Sequence, residues 1–162
     1  SGDFLKTQGT GANPVWATAA GGKVLQVIES KFTTDTSTSS ASYVATGHIG
    51  TITPSATTSK ILVQLSLGNT SVGMSALTMD ISLYLDIAGA GYNEIIGGGD
   101  AWFRIRGNTQ TGGGTNQFLN SPSTTSACNY QIYFLSSSGA MWYQNSGDDY
   151  GLNNLILMEI GA

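Results

Sequence analysis

The chain has 162 residues, of which 10% are charged and 40% hydrophobic, and it carries a formal net charge of -4. That length suits one domain with a real core, and the low charge beside ample apolar content excludes a disordered chain. Six Lys plus Arg, scattered along the sequence, leave no footprint for a phosphate backbone, and no apolar run is long enough to span a membrane, so neither nucleic acid nor membrane insertion is expected.

In chain order, the opening segment 4–16 has apolar ends, Phe4, Leu5, Val15 and Trp16, around glycines and Pro14 that punctuate the backbone too often for a helix or a long strand. It reads as an extended connector over 1–22, followed by a β-sandwich domain over 23–162. Within 23–32, Val24, Leu25, Val27 and Ile28 form an apolar run, and a Thr-Ser tract separates it from a strand over 43–49. Residues 60–67 alternate, with Ile61, Val63, Leu65 and Leu67 on one face and Leu62, Gln64 and Ser66 on the other. Met79, Ile81, Leu83 and Leu85 repeat that period against Thr78, Asp80, Ser82, Tyr84 and Asp86. Further strands are expected over 101–106, 128–135, 140–144 and 154–160, with a short extra one at 117–119. No segment sustains a helical period. About eight strands at fairly regular spacing predict an all-β fold, a single jelly-roll-like antiparallel β-sandwich.

The last strand departs from simple alternation. Leu155-Ile156-Leu157-Met158 is apolar on both faces, so one face is expected in the core and the other against a neighbouring subunit. The opening segment 4–16 and, at the other end, Ser121-Pro122-Ser123-Thr124-Thr125-Ser126 with Asn154-Leu155-Ile156-Leu157-Met158-Glu159-Ile160, resemble the C-terminal regions of tail-fibre and other virion structural proteins of marine bacteriophages, including those infecting cyanobacteria. The resemblance implies a virion location and other virion proteins as partners. With the two-sided last strand it implies a homotrimer, built as the C1q and tumour-necrosis-factor jelly rolls are, in which Leu155, Leu157 and Met158 contact a neighbour.

Residues suited to chemistry are sparse. One histidine, His48, and one cysteine, Cys128, do not supply an ordinary zinc ligand set, and no nucleophile elbow occurs; no metal, cofactor or catalytic role is expected. His48 is expected at the surface or at an interface, and Cys128 as a small buried hydrophobe. Asp80 and Asp86 share a strand face but lie roughly 20 Å apart at about 3.3 Å per residue, too far for a glycosidase pair. Asp148 and Asp149 read as a solvated turn, and the runs 97–99 and 112–114 as flexible glycine loops without phosphate-loop spacing.

Aromatic side chains near loops remain. Tyr92, Trp102 and Tyr150, beside Asn145 and Asp149, form the candidate ligand site, because sugar C-H faces pack on rings while hydroxyls need carboxylates and amides. Trp102 and Tyr150 are expected to be exposed, and Trp142 to pack. Arg104 and Arg106, two apart on one strand face, are expected to pair with acidic groups across a subunit boundary or to meet an anionic glycan. The leading functional reading is a trimeric fibre, spike or appendage head that attaches to a host-surface glycan or protein. The alternatives are a capsid or tail cement protein without a ligand and a free carbohydrate-binding module.

Overall fold

The computed structural model describes residues 3–18, 23–72, 77–96, 101–107, 111–144 and 151–161. Among them are thirteen strands and no helix: β1 Asp3–Lys6, β2 Val15–Thr18, β3 Val24–Phe32, β4 Thr36–Thr38, β5 Val44–Ile52, β6 Lys60–Val72, β7 Leu77–Ile87, β8 Asn93–Ile96, β9 Phe103–Gly107, β10 Thr111–Asn120, β11 Cys128–Ser136, β12 Met141–Gln144 and β13 Asn153–Ile160.

Apart from the β1-β2 hairpin, the strands form a six-stranded and a five-stranded sheet. The longest strand, β6, takes β10 along one edge and, on the other, β13 at residues 60–66 and then β12 at residues 71–72. In the second sheet β7 likewise pairs β11 on one side and holds β9 and β8 in succession on the other. The principal strands run β3-β13-β6-β10 in one sheet and β5-β11-β7-β9 in the other, antiparallel throughout. Two four-stranded sheets with this order make a jelly roll. The expected fold class is therefore present, with β4, β8 and the hairpin added to the strands anticipated.

Period-two alternation explains the core. Ile61, Val63, Leu65 and Leu67 of β6 face Met79, Ile81, Leu83 and Leu85 of β7, and Tyr130, Ile132 and Phe134 of β11 with Leu155 and Leu157 of β13 complete the packing. Burying such a set is the main force that closes the sandwich. The two sheets approach closely where Gly50 of β5 sits over β13: a Cβ there would lie 3.0 Å from Leu157 and 3.1 Å from Leu155. Cys128 is buried as expected, and burial raises its thiol pKa.

Two segments differ from expectation. Residues 112–114, read as a flexible loop, belong to β10, which extends through residue 120 and shifts register between Gly112 and Gly114. The glycines serve close packing here, since a Cβ on Gly114 would stand 2.5 Å from the Phe103 ring of β9. The opening segment, read as extended, forms its own antiparallel hairpin with Phe4 opposite Ala17 and Leu5 opposite Trp16. Its apolar side chains stay exposed, Trp16 at 73%.

Candidate functional site

The only histidine lies inside the sandwich. The β5 rows alternate so that Thr46, His48, Gly50 and Ile52 point inward, which places the imidazole in the core and corrects its expected surface position. Its Nε2 is 2.8 Å from the Ser30 carbonyl oxygen, an acceptor only, so Nε2 carries the proton and Nδ1 accepts from the Tyr143 hydroxyl at 2.7 Å. Phe32 stacks on the ring at 5.0 Å. Burial lowers the His48 pKa below its ordinary value, outweighing the hydrogen bond to Ser30. This neutral, doubly bonded imidazole joins the two sheets and has no free lone pair. At the end of the inward row of β13, Glu159 accepts bonds from Ser55 N at 2.7 Å, Ser55 Oγ at 2.6 Å and Gln26 Nε2 at 2.7 Å. Burial alone would raise its carboxyl, but these donors prevail and hold it down to about 2.

The two outward faces differ in chemistry. On the six-stranded sheet, Val27 of β3 opposes Met158 of β13, Met158 opposes Leu62 of β6, and Leu62 opposes Leu119 of β10. One cross-strand row is thus apolar over four strands. Val27 is 56% and Leu119 50% exposed, with Leu62 and Met158 half-buried between them. Ile156 and Ile160 stand half-buried on the same face of β13. Leu155 and Leu157, expected at a subunit contact, lie instead in the chain's own core, because β13 is a central strand and its odd-numbered residues face the opposite sheet. Of the three apolar residues named for that contact, Met158 alone points outward.

On the five-stranded sheet, four tyrosines form a file. Tyr43, entering β5, meets Tyr84 of β7 edge-on at 6.4 Å between ring centroids; Tyr84 stacks on Tyr133 of β11 at 3.9 Å; Tyr133 meets Tyr92, at the start of β8, at 6.2 Å. All four are half-buried. Asp86 fixes the turn before Tyr92 by accepting from Gly91 N at 2.8 Å, and its other oxygen accepts from Asn129 at 3.1 Å. Glu94 accepts from the buried Ser82 hydroxyl at 2.5 Å. Arg104 binds Asp80, its cross-strand partner, through Nε at 2.6 Å and Nη2 at 2.8 Å. That forked pair lies within the chain, where a boundary between subunits was expected; Arg106 is exposed on the same face.

Of the ligand residues read from the sequence, Tyr92 takes its place in this file. Trp102 does not stand exposed: it is 7% exposed, packed against the core beside β9, with its carbonyl accepting from Asn116 and its indole N-H buried without a partner among the described residues. Tyr150, Asp149 and Asn145 lie outside the described residues. Tyr43, Tyr84 and Tyr133 were missed. The signal was present for Tyr84, which the alternation of β7 had already put on the outward face between Ser82 and Asp86.

No protein-family model matches this chain, and no curated protein matches it. Among solved structures, the chain is similar to that of the infectious bursal disease virus Gt strain, at 13% identity and a TM-score of 0.44, covering 99% of this chain and 43% of that one. It is also similar to the VP2 subviral particle of infectious bursal disease virus, at 12% identity and a TM-score of 0.43, covering 98% of this chain and 44% of that one. The chain spans less than half the length of either.

Proposed function

We propose that this chain is a bacteriophage virion structural domain that assembles as a homotrimer through the outer face of its six-stranded sheet and turns its other sheet toward the host surface for attachment. The observation that carries the reading is the row Val27, Met158, Leu62 and Leu119. A sheet face in contact with water alternates to polar residues, whereas this row is apolar from β3 to β10. Contiguous exposed apolar patches of this kind mark protein contacts. The resemblance of both chain ends to phage virion proteins supports the virion assignment, and the jelly-roll strand order agrees with it.

Sedimentation velocity at micromolar concentration tests the assembly. The chain is expected to run at three times its own mass, and the paired substitution Val27→Lys with Leu119→Lys is expected to yield monomers whose melting temperature is nearly unchanged, since both side chains are at least half exposed. A monomeric parent chain refutes the trimer.

The hairpin favours a second reading. Phe4, Leu5, Val15 and Trp16 are all exposed on a two-stranded unit that is marginal alone. A capsid or tail cement protein would use such an arm to grip a neighbouring virion subunit. Under that reading Trp16→Ala with Leu5→Ala abolishes retention on virions while the oligomeric state is unchanged, and the parent chain does not adhere to host cells.

A further inference from the structure

We infer that the tyrosine file on the five-stranded sheet is a binding platform for a neutral oligosaccharide, which rests on the attachment reading and names its ligand class. Tyr43, Tyr84, Tyr133 and Tyr92 run as one continuous aromatic surface, with centroid spacings of 6.4, 3.9 and 6.2 Å. Pyranose rings offer apolar C-H faces to such rings and hydroxyls to the groups around them. The file is longer than one sugar ring, so it suits a stretch of chain over a monosaccharide.

The polar surroundings select within carbohydrates. Burial raises the phenol of Tyr43 to about 12, with Asp80 and Glu94 adding to the effect; Tyr84 and Tyr92 are raised by burial and then by Glu94 and Asp86 respectively. Those three hydroxyls stay protonated, able both to donate and to accept. Of the carboxylates that act on them, Glu94 is exposed and offers a sugar hydroxyl the oxygen that Ser82 does not use, whereas Asp86 is buried with both oxygens engaged and Asp80 is held by Arg104. Arg104, the cation that acts on Tyr43, is held in a forked pair by Asp80. A uronate, sialate or phosphate would meet the exposed Glu94 carboxylate beside Tyr43 and Tyr84 with repulsion, so the ligand is neutral.

The platform is also set before binding. Tyr84 and Tyr133 fix each other by stacking, and Asp86 fixes the turn that delivers Tyr92. Two-torsion aromatic side chains already held in place lose little entropy on contact.

Affinity electrophoresis of the full chain tests this, in gels containing laminarin, mannan, galactan or dextran, with alginate as the acidic counterpart. At least one neutral polymer is expected to retard the protein and alginate is not. Tyr84→Ala with Tyr133→Ala is expected to weaken retardation roughly tenfold or more, as loss of two stacking rings implies, while Tyr84→Phe retains most of it. If the double variant does not fold, Tyr92→Ala at the end of the file serves instead, with a smaller loss in the same direction. Retardation by none of the four neutral polymers, stronger retardation by alginate, or full retardation of a folded double variant overturns the proposal. So does a change in sedimentation of the tyrosine variants, which makes the file a protein contact. The Lys-substituted monomer separates the two readings: calorimetry with oligosaccharides cut from the retarding polymer is expected to give the same affinity per site as the parent chain.

Discussion

At the residue scale, two buried titratable groups make the fold sensitive to acid in separate windows. His48 is neutral in the folded protein with a lowered pKa, whereas in the unfolded chain it takes up a proton near its ordinary value of about 6.5. The unfolded state therefore binds more protons below that value, and the His48 contribution, complete above pH 6.5, declines as pH falls toward the folded pKa. Glu159 acts lower down. Its carboxyl is held at about 2 when folded, so its contribution persists above its ordinary value of 4.5 and is lost as pH falls through about 2. Urea midpoints measured from pH 8 to 2 are expected to fall in both windows. Glu159→Gln removes the lower decline, and His48→Gln, if folded, removes the upper one. The sequence did not disclose either burial. A histidine before Ile49-Gly50 reads as a strand end, and only the partners Tyr143 and Ser30, 95 and 18 residues away, make an interior imidazole tolerable.

At the scale of elements, alternation carried the prediction well wherever one face was core and the other wet. Leu83→Ala and Val63→Ala are each expected to destabilise the protein by about 2 to 4 kcal/mol in urea unfolding, and Gln64→Ala on the outward face to cost well under about 1 kcal/mol. Ser82 departs from that rule. It lies on the outward face of β7 yet is fully buried beneath β8, whose Glu94 accepts its hydroxyl, so Ser82→Ala is expected to destabilise more than Gln64→Ala does. Strand β8 itself was not legible, being four residues long and lacking a repeat. Much of β10 was hidden because a glycine run read as a loop, although Gly114 admits the Phe103 ring and Gly113 the Leu67 backbone within the sheet. Gly68 shows the same logic against backbone: a Cβ there would stand 2.7 Å from the Leu152 carbonyl oxygen, which leads directly into β13. Gly68→Ala is expected to lower the melting temperature sharply, and a variant as stable as the parent would show that the 151–153 turn can move aside.

For the whole molecule, the jelly roll leaves an apolar row across one outer sheet face and a tyrosine file across the other, on opposite sides of the same core. The sequence displayed the residues of both faces without showing which of them meet. Row partners such as Val27 and Leu119, 92 positions apart, become neighbours only through β13 and β6. If the apolar face joins three copies, their tyrosine files share one rigid body, and weak single contacts act together through effective concentration. The trimer is accordingly expected to adhere to host cells at least about tenfold more strongly than the Val27→Lys with Leu119→Lys monomer, in a binding assay at equal site concentration.

The placement of β13 also governs how the protein comes into being. It is the last of the eight principal strands to leave the ribosome, yet it lies between β3 and β6, which are made first in that sheet. Between completion of Val72 and the emergence of Asn153–Ile160, translation runs for roughly 10 s at ordinary rates. Throughout that interval β6 has an open edge, and Ile61, Val63 and Leu65 lack the cover of Leu155 and Leu157. An open apolar strand edge is a template for pairing with other chains. Nascent copies crowded on one messenger thus pass through a sticky stage together, and chains arrested before residue 153 should be found in the pellet, bound to chaperones or to each other.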